Sequence, residues 1–356
     1  MTDTRTRALA LRDRFAAAGA RVVEPPILQS AELLLDLYGE DIRGRAYVTH
    51  DAMLGEQMLR PDFTVPVVQM HMADGAEPAR YTYAGEVFRR QDDNPDRANE
   101  YIQVGYEVFD RADPAGADAE VFSLISQAVA PLHLRAATGD IGVLMAAVEG
   151  LRTSEARKAA LRRHIWRPRR FRALLDRFAG RTPVPESRAA LLTSVPPQDV
   201  PLTGLRTRVE IEARIAALRA DAQEPPISGA EMDGLDALLA VRETLPFALQ
   251  QLRDLSVDLP AIKSAVARVG ARAEALAARD VDVDALEFEA SYGRTSMEYY
   301  DGFVFGFYAE SRPDLPPVAT GGRYDALTRR LGAGAEIPAV GAVLRPGLMA
   351  ELEAAT

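Results

Sequence analysis

The chain has 356 residues, 47% of them apolar, enough to bury a sizeable core in one large domain with a smaller one beside it. Its formal net charge of −10 repels phosphate backbones, so no nucleic-acid partner is expected without a local basic patch. It contains no cysteine, which excludes disulfides, thiolate zinc sites and cysteine nucleophiles and suits a reducing cytoplasm.

The opening MTDTRTRALALRDRFAAAGA is charged throughout, so neither a signal peptide nor a membrane association is expected, and the location is read as cytoplasmic. Leu11, Phe15 and Ala18 recur at helical spacing, with Gly19 as a C-cap before the extended RVVEPPIL. From Leu59 to Phe109 the pattern alternates like strands, and 116–131 reads as a helix. Beyond about residue 150 the composition turns to Ala, Arg and Leu, with helical runs near 154–178, 206–221, 232–254 and 261–278. Prolines in RTPVPESR, SVPPQDVPL and AQEPPISG interrupt them. The block 151–280 is expected to be a helical insertion in a domain built from 1–150 and 281–356. Strand character returns at LEFEA and persists through FVFGFY.

Three short segments carry the chemistry. In LRPDFT, alternation puts Arg60, Asp62 and Thr64 on one face, a poor way to build a core. In YIQVGYEVF, Ile102, Val104, Tyr106 and Val108 face one side, while Gln103, Gly105 and Glu107 face the other, leaving a hollow between an amide and a carboxylate. Such a pair suits an ammonium and an imidazole, because the carboxylate accepts charge-assisted bonds and the amide both donates and accepts. In EYYDGFVFGFY, Phe303, Phe305 and Phe307 share one face with Tyr299 and Asp301, and Tyr300, Gly302, Val304, Gly306 and Tyr308 take the other, which predicts a helix beneath and a close approach above. TGGRYDAL reads as a strand-to-helix turn. His50, His71, His133 and His164 are too scattered for a local ligand motif, so no metal and no cofactor are expected. The basic run at 157–175 reads as a solvated helix pair.

Together these segments resemble the catalytic core of histidyl-tRNA synthetases over 1–150 and 286–348. RPDFT resembles that family's RPEGT segment, FRRQ with QVGYEVF resembles class II motif 2, and EYYDGFVF and GGRYDAL resemble its two histidine-recognition motifs. The resemblance implies an α+β fold, with a class II synthetase-like antiparallel sheet flanked by helices. It implies that Asp62, Thr64, Gln103 and Glu107 line an amino-acid pocket, that Tyr299 and Tyr300 bracket an imidazole, and that Arg89 clamps a carboxylate. It also implies a dimer interface at the first helix and the proline-ended strand.

The adenylation half departs from that pattern. Gln91 stands at the motif 2 glutamate position, and Thr295 at the catalytic arginine by ungapped count, although the adjacent Arg294 could still supply a guanidinium. RPGL replaces the motif 3 run, with Leu348 where a γ-phosphate arginine belongs and Pro346 at the helix start. Losing one such donor costs about 10²- to 10³-fold in rate. The chain also ends soon after motif 3, where an anticodon-binding domain is expected. These departures resemble the regulatory subunit of ATP phosphoribosyltransferase, a paralogue of the synthetases. That family implies a homodimer core within a hetero-octamer, a short-form catalytic subunit as partner, histidine as effector, and no catalysis by this chain. The alternative is a degenerate histidyl-tRNA synthetase or another ATP-dependent amino-acid ligase.

Overall fold

The computed structural model describes residues 2–38, 40–90, 97–194, 204–294 and 299–354. Twelve strands lie among them: β1 (Arg21–Val22), β2 (Leu28–Ser30), β3 (Val48–Asp51), β4 (Gly55–Leu59), β5 (Ala79–Phe88), β6 (Glu100–Phe109), β7 (Arg135–Asp140), β8 (Arg242–Thr244), β9 (Glu287–Glu289), β10 (Phe303–Tyr308), β11 (Ala319–Arg323) and β12 (Ala339–Leu344). Nine of them form one sheet in the order β1-β5-β6-β12-β11-β10-β7-β9-β8, antiparallel except where β1 meets β5 and β7 meets β9. β2, β4 and β3 form a small second sheet. No helix among the described residues is long and apolar enough to cross a membrane.

Alternation along β6 sends Val104, Tyr106 and Val108 to one face of the large sheet, where helix Thr2–Ala17 sets Phe15 against Tyr106 at 5.4 Å between ring centroids. Ala8, Leu11 and Phe15 are the buried stripe of that helix; Ala18, past its end, is exposed. Helix Pro114–Val129 starts where Asp113 accepts the Gly116 N–H, with Pro114 in the first turn. It lies under the same sheet face, with Phe122 against Phe303, Phe305 and Phe307 of β10. This is the helix that the row of phenylalanines predicts.

Several local expectations are corrected. RPDF is a turn, not a strand: Leu59 ends β4, and Thr64 begins a helix, Thr64–Asp74. Its β-branched opening mimics a strand, but Val65, Val67 and Val68 are all buried, and Gly75 at φ 64° caps the helix in the left-handed conformation. Arg60 serves the backbone instead of a site, donating to Pro25 O at 2.6 Å and Glu86 O at 2.8 Å. The glycines of TGGRYD lie inside β11, not in a turn, with Gly321 opposite Ala342 and Gly322 opposite Gly341. Tyr299, Tyr300 and Asp301 precede β10 and so do not share its alternation.

The 232–254 run is two helices, Gly229–Ala240 and Leu245–Asp258, parted by β8, which pairs with β9 at the sheet edge. Helix Lys263–Ala277 packs on Pro114–Val129, where the buried Arg272 bridges Asp118 at 3.0 Å and Asp140 at 2.5 Å. The basic run forms helices Glu155–Arg163 and Pro168–Phe178, which turn Leu161, Phe171, Leu175 and Phe178 inward. It is less solvated than expected, because Arg157 is buried and paired with Asp221 at 2.6 Å. Most of SVPPQDVPL lies outside the described residues.

Candidate functional site

On the sheet face away from helix Pro114–Val129, a cavity of about 300 Å³ opens where β5 and β12 end. Six residues singled out from the sequence line it: Asp62, Thr64, Arg89, Gln103, Tyr299 and Tyr300. Asp62 comes from the turn before helix Thr64–Asp74, which explains why it shares the site with Thr64 without any strand between them. Its carboxylate accepts the Val65 N–H at 3.3 Å and the Tyr38 hydroxyl at 3.0 Å. Burial pushes its pKa up, opposed by the Arg89 guanidinium. Arg89 donates to Pro61 O at 3.1 Å, which anchors it beside Asp62.

Gln103 projects from β6 with its Oε1 buried and without a hydrogen-bond partner. An unsatisfied buried acceptor costs about 1–3 kcal/mol, so it marks a place that suits a ligand N–H. Tyr299 and Tyr300 do not bracket a slot. Their rings meet edge to face with centroids 4.9 Å apart, the spacing of one aromatic pair with no third ring between. They form a single aromatic wall.

Glu107 stands one layer behind the cavity and does not line it. Its Oε1 accepts Thr64 Oγ1 at 3.1 Å and the Tyr83 hydroxyl at 2.8 Å, and its Oε2 accepts the Tyr324 hydroxyl at 2.5 Å. Burial lifts its pKa from 4.5 to about 7, with those three donors pulling the other way. The hollow expected at Gly105 is filled by Tyr83, whose Cζ would be 2.1 Å from a Cβ placed there. Gly341 makes room for Glu107 itself, since a Cβ on it would sit 1.4 Å from Oε2. The carboxylate therefore braces the floor of the site, where the strand-face reading set it directly against a ligand.

Sequence reasoning missed Arg345, Thr320 and Tyr308, all of which line the cavity. Arg345 follows the last residue of β12 and donates to Pro317 O and to the Tyr101 phenol. Its signal was present in the run LRPG, which the comparison with motif 3 treats only as a list of lost cations. Burial lowers its pKa, and Arg89 and Arg97 add to that. Leu348 packs against the core and Pro346 opens helix Pro346–Ala354, so neither brings charge to the site. Arg294 turns away to the helical block, donating to Ile165 O at 2.8 Å and lying over Phe171. Burial lowers its pKa to about 10. It lines a neighbouring cavity of about 510 Å³ that shares the Tyr300 and Thr320 walls. Gln91 and Thr295 lie outside the described residues. His71 is a core residue, stacked on Phe109 and bonded to the Tyr81 hydroxyl at 3.0 Å.

Comparison with known proteins places this geometry. A family model described as histidyl-tRNA synthetase matches residues 2–200 and 211–347. Proteins named ATP phosphoribosyltransferase regulatory subunit from Brucella ovis and Brucella abortus are each 32% identical over 368 aligned residues. The alignments cover 96% of this chain and 96% and 95% of those proteins. Among solved structures, an ATP phosphoribosyltransferase regulatory subunit/histidyl-tRNA synthetase from Bacillus halodurans superposes with a TM-score of 0.68 at 22% identity, covering 99% of this chain and 79% of that one. Histidyl-tRNA synthetase from Nostoc gives 0.65 at 17%, covering 99% and 73%. These two likenesses establish the class II synthetase-like fold. With the full-length matches at 32% identity, the chain belongs to the ATP phosphoribosyltransferase regulatory subunit family, built on the histidyl-tRNA synthetase core.

Proposed function

We propose that this chain is a non-catalytic subunit that binds histidine, activates a short catalytic ATP phosphoribosyltransferase subunit, and relays feedback inhibition in the first step of histidine biosynthesis. The observation that carries the reading is a contrast within one site. The amino-acid end is equipped, with Asp62 for the ammonium, Gln103 Oε1 for a ligand N–H, an aromatic wall from Tyr299 and Tyr300, and Arg89 for the carboxylate. At the nucleotide end, Leu348 and Pro346 occupy positions where phosphate chemistry needs positive charge. Glu107 keeps a binding role in this reading as the brace that positions Thr64 and the floor.

Feedback requires that histidine bind two states of the complex with different affinity, since equal affinity shifts nothing. A homodimer core suits the small sheet, where Ile27, Leu28, Val48, Met53 and Leu54 are exposed together near Pro25 and Pro26. A hetero-octamer in the cytoplasm is the assembly expected of the family. The test is a pair of assays on the purified chain: calorimetric titration with histidine, and histidine-dependent exchange between pyrophosphate and ATP. Binding without exchange is expected. Exchange at about 1 s⁻¹ or faster, a rate typical of enzymes, would favour the degenerate synthetase instead.

A further inference from the structure

Arg345 has no part in the reading above, yet it enters the same cavity as Arg89. The two arrive from different strands, Arg89 just past the end of β5 and Arg345 just past the end of β12. The Tyr101 phenol accepts from Arg345 and acts electrostatically on Arg89. Among the described residues Asp62 is the one carboxylate lining the cavity, and its oxygens already accept from Tyr38 and the Val65 N–H. Arg345 has no carboxylate partner among the described residues. A half-buried guanidinium with no counter-charge is costly unless an anion enters to pair with it.

We propose that Arg345, acting opposite Arg89, binds the ligand's carboxylate and so restricts the site to a free α-amino acid. The proposal rests on the reading of the cavity as a histidine site and adds a residue that sets its specificity. A guanidinium offers five N–H donors in a rigid plane, and those that Arg345 does not give to Pro317 O and Tyr101 remain for a ligand. A carboxylate has about four lone-pair sites on two oxygens, enough to take one arginine on each side. Asp62, held beside Arg89, matches the ammonium, so the cavity offers both signs of charge to a zwitterion. A ligand lacking the carboxylate would leave Arg345 without a counter-charge. The repulsion from Arg89 that helps hold the Arg345 pKa down agrees with this arrangement.

The experiment titrates the full chain and its Arg345→Gln and Arg345→Lys variants with histidine, with histamine, which lacks the carboxylate, and with inorganic pyrophosphate. Thermal melting confirms that each variant is folded. Wild type is expected to bind histidine far more tightly than histamine. Arg345→Gln should weaken histidine by about 30-fold or more, the loss of one member of a desolvated charge pair, and leave histamine unchanged. Arg345→Lys should fall between, keeping the charge without the planar fork. Equal binding of histidine and histamine by wild type would overturn the clamp while leaving the histidine reading in place. Loss of both ligands together in the variants would assign Arg345 a structural role only. Pyrophosphate binding that depends on Arg345 while histidine binding does not would make the pair a phosphate site. Binding of neither amine by wild type would remove the histidine reading and the carboxylate assignment with it.

Discussion

Glu107 ties four segments together through a single carboxylate: Thr64 at a helix start, Tyr83 from β5, Tyr324 after β11, and the glycine gap in β12. Glu107→Ala should abolish histidine binding by loosening that floor, and it should also destabilise the fold by about 2–5 kcal/mol, because three hydroxyls lose a buried acceptor. Urea unfolding beside calorimetry separates the two effects; lost binding at unchanged stability would place Glu107 in direct ligand contact. The pH dependence has a definite sign. A carboxyl whose pKa rises from 4.5 to about 7 on folding binds its proton more tightly in the folded state. Its stabilising contribution is complete below 4.5 and is lost as pH rises through about 7. Asp301, lifted by burial and by the nearby Asp325 from 3.8 to about 7, acts in the same direction. The melting temperature should therefore fall across that window, and Glu107→Gln should flatten the slope; an equal slope in the variant would contradict the assignment. Gly341→Ala should impair histidine binding as Glu107→Ala does, since its methyl would displace Oε2. Wild-type affinity in that variant would count against the brace.

The elements show where pattern reading succeeds and where it stops. Alternation in β6 placed Gln103 and Glu107 on the correct face, because both faces of that strand are fixed by packing. It could not reveal that Tyr83 fills the space over Gly105, since that contact joins strands more than twenty residues apart in sequence. Helix Thr64–Asp74 is hard to read from pattern because its opening, Thr64 to Val68, is buried on every side, and its exposed stripe, Gln69 and Ala73, comes only in the later turns. Arg345 went unnoticed because its role depends on where β12 ends, which no local motif encodes. At this scale the buried Arg272 is the most exposed to test. It joins helix Lys263–Ala277 to Asp118 and Asp140, so Arg272→Ala should cost about 3–5 kcal/mol by leaving carboxylates short of a counter-charge. Urea denaturation measures this, and a loss of less than about 1 kcal/mol, within the range of an ordinary substitution, would show that the network is not a structural tie.

Across the whole molecule, the large sheet divides two tasks between its faces. One face is packed with aromatic side chains against helices Thr2–Ala17 and Pro114–Val129, while the other stays thin enough at its glycines for tyrosines, a carboxylate and a cavity. Helix Lys263–Ala277 and β8 connect the helical block to that same sheet, so a change at the cavity wall has a packed route toward the block. The measurement that tests the central claim most directly is the activity of a short ATP phosphoribosyltransferase catalytic subunit, alone, with this chain, and with this chain plus increasing histidine. The account predicts activation by the wild-type chain, inhibition as histidine rises, and an Asp62→Asn variant that still activates but no longer confers the inhibition. Failure of the wild-type chain to change the catalytic subunit's activity, or inhibition by histidine that survives in Asp62→Asn at the same concentration, would contradict it.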